Sequence, residues 1–314
     1  MPCIQASKTL FIILYSVHKH HILVTGANGQ VGKELRDLAR KQTNHIFTFL
    51  GKEDLSIENA EEVRDFFAIA SPTAVINCAA YTAVDKAESE KDLALKVNGE
   101  AVGILAAVSK EYNARFIHIS TDYVFDGTAS SPYKPSNPTS PVNAYGASKL
   151  VGEQEAVKHN PTSVIVRTSW LYSAYGKNFV KTMMKLMGEK SDLNVVRDQL
   201  GSPTYAADLA EALFEIAVTD KFVPGIFHFC NEGIISWYEF AVEIARIIGS
   251  DCVVHPVPTS AYPTIAKRPA YSVLDTSGIQ SAYHIVPQSC LPKAFHNWRS
   301  DYLMQAWKHQ SQSP

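Results

Sequence analysis

The stretch Thr25-Gly26-Ala27-Asn28-Gly29-Gln30-Val31-Gly32 follows the apolar run Ile22-Leu23-Val24 and leads into Lys33 to Leu38, so strand, glycine turn and helix stand in sequence. A dinucleotide pyrophosphate needs that order. Gly26 allows the tight turn, Gly29 lets the backbone approach the phosphates, and Gly32 permits close packing of helix on strand, which leaves the N-terminal N–H groups of the helix facing the anion. A glycine triplet alone is also an ordinary turn; the flanking strand and helix carry the reading. Asn28, Gln30 and Val31 share the turn and are expected beside the cofactor.

Further along, short apolar runs alternate with amphipathic ones, the pattern of a parallel sheet covered on both faces. Strands are expected at Ile22 to Val24, Ile46 to Leu50, Ala74 to Asn77, Phe116 to Ser120, Ser163 to Arg167 and Ile226 to Cys230. Helices are expected at Val31 to Lys41, Ala60 to Ile69, Gly99 to Tyr112, Tyr145 to His159, Phe179 to Met187, Ala207 to Val218 and Trp237 to Ile248. The irregular segments from Trp170 to Asp198 and from Gly233 to Ile265 suit a smaller lobe. A Pro- and Ser-rich loop, Gly127 to Asn143, precedes the helix at Tyr145, where a loop can cover a site.

Tyr145-Gly146-Ala147-Ser148-Lys149 opens that helix, and a Tyr and a Lys at i, i+4 share one face. An ammonium beside a phenol favours the phenolate and lowers its pKa, which makes the tyrosine a proton donor to a developing alkoxide. The lysine can also reach a cofactor ribose. Gly51-Lys52 follows the second strand with no acid placed for a ribose 2′-hydroxyl, so Lys52 would attract a 2′-phosphate and NADPH should bind at least as well as NADH.

At 314 residues and 46% hydrophobic, the chain can bury a large core. Its formal net charge of -2 offers no field for nucleic acid. The five cysteines, Cys3, Cys78, Cys230, Cys252 and Cys290, are scattered without metal-ligand spacing, as expected of reduced thiols in the cytoplasm. Lys8 and the apolar run Thr9 to Val17 imitate a signal peptide, but His18-Lys19-His20-His21 follows with no small-residue cleavage site. The run is far short of the ~20 apolar residues of a membrane span. Residues 1–20 read as an N-terminal extension.

From Ile22 to Trp307 the chain resembles the extended short-chain dehydrogenase/reductases, and within them the dTDP-4-dehydrorhamnose reductase family. The resemblance rests on Gly26 to Gly32, Asn77 to Glu88 (NCAAYTAVDKAE), Ser120 to Gly127 (STDYVFDG), Tyr145 to Lys149, Arg167 to Tyr172 (RTSWLY), Arg197 to Thr204 (RDQLGSPT) and Arg268-Pro269. It implies a Rossmann-type doubly wound parallel sheet with a smaller α/β substrate-binding lobe. The dinucleotide-binding domain would span 21–166, continued at about 199–232, with 167–198 and 233–314 mainly in the lobe.

The resemblance also implies a reaction: reduction by NADPH, or NADH, of the 4-keto group of a nucleotide sugar, dTDP-4-dehydro-6-deoxy-L-mannose, in cell-surface polysaccharide biosynthesis. Thr121 would bond the substrate carbonyl oxygen, Tyr145 would give the proton, and Lys149 would keep Tyr145 acidic. Ala79, Ala80 and Thr82 would line the cofactor. Val84 and Asp85 would lie near the sugar, Trp170 would stack on a sugar or base, and Arg268 would meet the diphosphate. Asp122 and Tyr123 separate relatives: a 4,6-dehydratase carries Asp-Glu there, and a phenol lacks that carboxylate's basicity. An epimerase stays open. So does a non-catalytic subunit like the beta subunit of methionine adenosyltransferase, which resembles this family with its own Ser-Asp-Tyr-Val-Phe-Asp-Gly segment and a Tyr-Gly-x-x-Lys helix.

The chain also departs from the family. Leu55-Ser56-Ile57 stands where Leu-Asp-Ile is usual, with Asp54 beside it, and Tyr133-Lys134-Pro135-Ser136-Asn137 replaces an acidic loop. Some family members dimerise around Mg²⁺ held by two glutamates. Here Glu34 keeps the first, but Ala207 takes the second, and Asp208 lies about 100° further round a helix. Because Mg²⁺ tolerates a missing carboxylate poorly, no metal is expected, with a monomer or a metal-independent homodimer in solution.

Overall fold

A computed structural model describes residues 19–290. The apolar run to Val17 and the resemblance beyond Cys290 fall outside the described residues. His20 already belongs to the first strand, within the stretch 1–20 read as an extension.

Six parallel strands form the central sheet: β1 (His20–Thr25), β2 (His45–Leu50), β3 (Ala74–Asn77), β4 (Arg115–Thr121), β5 (Val164–Thr168) and β10 (Gly225–His228). Their order is β10-β5-β4-β3-β1-β2. Each expected strand is present. The runs are apolar throughout because both faces are covered. Ile22, Val24, Ala74, Ile76, Ile117, Val164 and Val166 point to one face, under helices α1 (Gln30–Ala39) and α7 (Ala206–Val218). Leu23, Val75, Phe116 and Ile165 point to the other, under α2 (Ala60–Ala70), α4 (Ala101–Glu111) and α5 (Ala144–His159). The period of two places alternate residues in opposite cores.

The chain runs from β1 outward to β2, then returns to the far side of β1 for β3. A crevice opens at the carboxyl ends of strands where the order reverses in this way.

The helix expected over Gly99 to Tyr112 is composite: α3 (Lys91–Leu95), one π turn (Lys96–Glu100) and α4. The π turn lies where α5 crosses most closely, for a Cβ at Gly152 would come within 2.0 Å of the Asn98 carbonyl oxygen. The Asn98 side chain donates to Ser148 Oγ and to the Tyr81 carbonyl, both at 3.0 Å, fixing the loop after β3 to α5.

A second core gathers α6 (Phe179–Glu189) and α8 (Trp237–Ile248) around Tyr172, Tyr205 and Phe240. The segments expected to be irregular contain β7 (Asp192–Val196), which pairs in parallel with β12 (Val253–Val257). Three short strands, β6 (Leu171–Tyr172), β8 (Leu200–Gly201) and β9 (Thr204–Tyr205), precede α7, and β11 (Ile235–Ser236) precedes α8. A further helix, α9 (Ser277–Tyr283), was not anticipated; Ile279 and Ile285 return to the core below the sheet. The 127–143 loop is no lid here. Tyr133 is buried, stacks on Phe125 at 4.2 Å, donates to Asp126 at 2.6 Å and takes its backbone partner from Val273.

β4, β5 and α5 are joined by a buried ion pair. Arg167 Nε and Nη2 donate to Glu153 at 2.9 and 2.7 Å, Ser120 adds a third donor at 2.5 Å, and both charged side chains are at most 3% exposed. Removing one partner strands the other charge, which costs about 3–5 kcal/mol. Arg167→Ala should lower folding stability by about that much, seen as a fall in the urea midpoint; an unchanged midpoint would show that water reaches Glu153.

Candidate functional site

The crevice at the ends of β1, β3 and β4 has a volume of about 920 Å³. Gly26 turns there with φ +63°, and a Cβ at that position would lie 2.5 Å from the Ala79 nitrogen. Helix α1 starts after Gly29 with no side-chain cap and no acid in its first turn. Its first N–H groups are therefore left for an external acceptor, the arrangement an anion requires. Gly26, Asn28, Gly29, Gln30 and Val31 all line the crevice.

At the other end, Thr121 terminates β4 and Tyr145 stands in the first turn of α5, whose N-cap Asn143 accepts from the Gly146 N–H. Both line the crevice, with Asp122, Tyr123 and Lys149. The Thr121 hydroxyl donates to Asp122 at 2.9 Å. Tyr123 meets Tyr145 edge to face at 5.7 Å. Burial raises Asp122 to about 6 and Tyr123 to about 12.

One expectation fails. The Tyr145 phenol is not acidified: burial, with the Asp122 charge next, pushes it up. Lys149 shares the helix face but turns away, donating to the Ile119 carbonyl at 2.7 Å and meeting His118 Nε2 at 3.1 Å. Burial lowers Lys149 to about 8. His118 Nδ1 takes a 3.0 Å hydrogen bond from Asn77, and burial holds its pKa well below the usual value. Sequence reading placed His118 in a strand and gave it no task; strand alternation alone could have shown that it leaves the sheet on the Lys149 side.

At the nucleoside end Lys52, Leu55, Ala79, Ala80, Thr82 and Val84 line the crevice. Asp54 does not. Its carboxylate accepts from the Gly51 N–H at 2.8 Å and closes its own turn. Glu53, held by Asn28 at 2.6 Å, and Glu58 do line the crevice, so acids stand after β2, contrary to expectation. Lys177, in the loop before α6, is a further lysine of the lining that sequence reading missed.

Asp85 and Arg268 are not in the lining. They pair at 2.7 Å, and Asp85 also accepts from the Ala266 N–H at 3.0 Å, which ties the loop after β3 to the 266–268 segment. Trp170 does line the crevice, with a left-handed backbone at φ +47° that a large side chain rarely adopts. One face of its indole is taken by Trp237, parallel at 3.5 Å, which leaves at most the other face for a ligand. No metal is expected from the sequence, since Ala207 stands at the second glutamate position; its neighbour Asp208 accepts from Asn231 at 2.6 Å, and Glu34 is buried and accepts from Ser173 at 2.5 Å.

The model for the RmlD substrate binding domain family matches residues 20–297. A dTDP-4-dehydrorhamnose reductase from Burkholderia thailandensis is 43% identical over 287 residues, which cover 84% of this chain and 93% of that one. Among solved structures, a dTDP-4-dehydrorhamnose reductase from Clostridium acetobutylicum superposes with TM-score 0.86 at 42% identity, covering 91% of this chain and 99% of the other. One from Bacillus anthracis, in complex with NADP, has TM-score 0.86 at 36% identity, with coverage of 90% and 99%. A glycine turn, a Thr-Tyr-Lys set at one crevice and this likeness along nearly the whole described chain agree, and the chain belongs to the dTDP-4-dehydrorhamnose reductase family of NAD(P)-dependent oxidoreductases.

Proposed function

We propose that the protein reduces the 4-keto group of dTDP-4-dehydro-6-deoxy-L-mannose with NADPH, NADH also serving, to give dTDP-L-rhamnose. The observation that carries this is that Thr121 and Tyr145 line the same crevice that the glycine turn enters. When bound, reduced nicotinamide supplies the hydride for the carbonyl carbon. Thr121 and Tyr145 hold the carbonyl oxygen, and Tyr145 passes its proton to the alkoxide as the C–H bond forms. A phenol whose pKa is raised keeps that proton until the alkoxide, a stronger base, appears. In this structure the Thr121 hydroxyl gives its one proton to Asp122, so it turns from that carboxylate to donate to the carbonyl oxygen. Tyr123 stays neutral, which gives no carboxylate base for the C–H abstraction that dehydration needs.

The uncapped first turn of α1 suits the cofactor pyrophosphate, and Lys52 suits a 2′-phosphate. Trp170, Val84 and the second lobe would take the sugar nucleotide, with Asp85 and Arg268 bracing the loops from behind. We place the reaction in the cytoplasm; the free thiols of Cys78, Cys230, Cys252 and Cys290 support this, and no described helix is long and apolar enough to cross a membrane. We also propose a monomer or a metal-independent homodimer, since Glu34 and Asp208 already have internal donors.

Because general acid catalysis contributes ~10² to 10⁴ in rate, Tyr145→Phe should cut turnover of the sugar nucleotide by that order, read as NADPH absorbance, while cofactor affinity stays nearly constant. Retained turnover would remove Tyr145 from the chemistry. Lys52→Ala should raise the KM for NADPH about tenfold, the scale of one charge-assisted hydrogen bond, and leave that for NADH within about twofold; an equal change in both would give Lys52 no role at the 2′-phosphate. Light scattering in EDTA and in excess Mg²⁺ should return one mass, and a Mg²⁺-dependent shift from monomer to dimer would refute the metal-free assembly.

A further inference from the structure

The hydrogen bonds behind Lys149 permit only one distribution of protons. Asn77 Oδ1 receives the Ala79 backbone N–H at 3.1 Å and the Thr25 hydroxyl at 2.7 Å. A backbone N–H cannot accept, so the oxygen of the amide must face Ala79 and the Nδ2 group must face His118. His118 Nδ1 is then an acceptor. A neutral imidazole with Nδ1 as acceptor carries its proton on Nε2, and that N–H points at Lys149 Nζ, 3.1 Å away. Nζ must accept it. An ammonium has no lone pair, so this arrangement is complete only with the lysine as an amine that accepts from His118 and donates to Ile119, the form that predominates above about pH 8.

We propose that His118 is a positioning residue that docks Lys149 as a neutral amine when no dinucleotide is bound, so that cofactor binding draws Lys149 off His118 and takes up a proton from solvent. The proposal rests on the crevice being a dinucleotide site, and it assigns Lys149 two states where the reductase reaction uses one. All three side chains are almost fully buried, at 0% for Asn77 and His118 and 2% for Lys149, so water cannot substitute for the missing donors and acceptors. The charged and titratable groups facing Lys149 are few. Cys78 after β3 is pushed up to about 12 by burial and stays a thiol, and Glu153 lies one turn along α5. Burial outweighs both in lowering the lysine, and an imidazolium at His118 is opposed by the Asn77 donor and by burial.

Calorimetric titration of NADPH into the protein at pH 9, in buffers of different ionisation enthalpy, reads proton uptake directly. A free-enzyme value of about 8 leaves roughly nine-tenths of the lysine unprotonated there, so about 0.9 proton should enter per NADPH bound. The cofactor phosphate, which titrates near pH 6, adds nothing at that pH. The Kd should rise about tenfold per pH unit above pH 8. Asn77→Asp keeps acceptors for Thr25 and Ala79 but makes His118 donate from Nδ1, which frees Nε2 to accept from an ammonium. His118→Gln can likewise turn an amide oxygen to Lys149. Both variants should bind NADPH with uptake below about 0.3 proton and a flat Kd from pH 7.5 to 9. Wild-type binding without proton uptake, or full uptake retained in a variant that still binds, overturns the docking of Lys149 whatever sugar the enzyme reduces. Binding and uptake as expected, with no turnover of the sugar nucleotide, overturns only the substrate; failure to bind any dinucleotide overturns both readings.

Discussion

The backbones leaving β1 and β3 touch, and the site is arranged around that contact. Because the strand order reverses at β1, both chains emerge side by side at the same edge of the sheet. They pass so closely that Gly26 has no room for a Cβ against Cys78 and Ala79. Asn77 seals the junction, its oxygen bonded from β1 through Thr25 and from its own loop through Ala79. The crossing sets the start of α1, and thereby the N–H groups that face a pyrophosphate. The same amide reaches sideways to His118 on β4 and through it to Lys149 on α5. One side chain thus fixes the relation between the phosphate end of the crevice and the catalytic helix.

What the sequence disclosed follows the strength of periodic burial. Strands buried on both faces read as unbroken apolar runs, and each was found because nothing else in a chain of this composition demands Ile-Leu-Val or Ala-Val-Ile-Asn together. β7 and β12 escaped notice: as a two-stranded pair beside α6 and α8 they lack the unbroken apolar run of a strand covered on both faces, and Pro256 interrupts β12. The π turn at 96–100 was invisible because its cause, Gly152 pressed against the Asn98 carbonyl, lies more than fifty residues away.

The site was legible to the same degree. Glycines, Thr121, Tyr145 and Lys149 converge because their spacing reflects local geometry on a turn, a strand end and a helix face. Charged residues were harder, since a carboxylate or guanidinium goes to whichever partner lies nearest in space. Asp54 closes its own turn while its neighbour Glu53 faces the crevice; Asp85 and Arg268, separated by 183 positions, neutralise each other. Arg167 and Glu153 likewise read as ordinary charges on a strand and a helix and turn out to be the buried clamp between them.

The segment Asp198-Gln199-Leu200-Gly201-Ser202-Pro203-Thr204, part of the resemblance that identified the family, lies outside the lining of the crevice. Asp198 accepts the Thr259 N–H at 2.8 Å, and Gln199 donates to the Thr259 hydroxyl at 3.1 Å, which fixes the end of β12. A Cβ at Gly201 would sit 2.4 Å from the Trp170 indole, so glycine there is what lets the ring lie flat on Trp237. Ser202 accepts from Ser169 through its carbonyl at 2.8 Å, and the Thr204 N–H donates to the Trp170 carbonyl at 3.2 Å. The backbone on both sides of Trp170 is therefore held by the motif, which accounts for the persistence of a left-handed tryptophan at a cost of order 1–3 kcal/mol. The motif is a brace for one aromatic wall of the crevice, and its distance from the reacting atoms is consistent with a role in shaping the sugar-nucleotide side while the chemistry is left to the ends of β4 and α5.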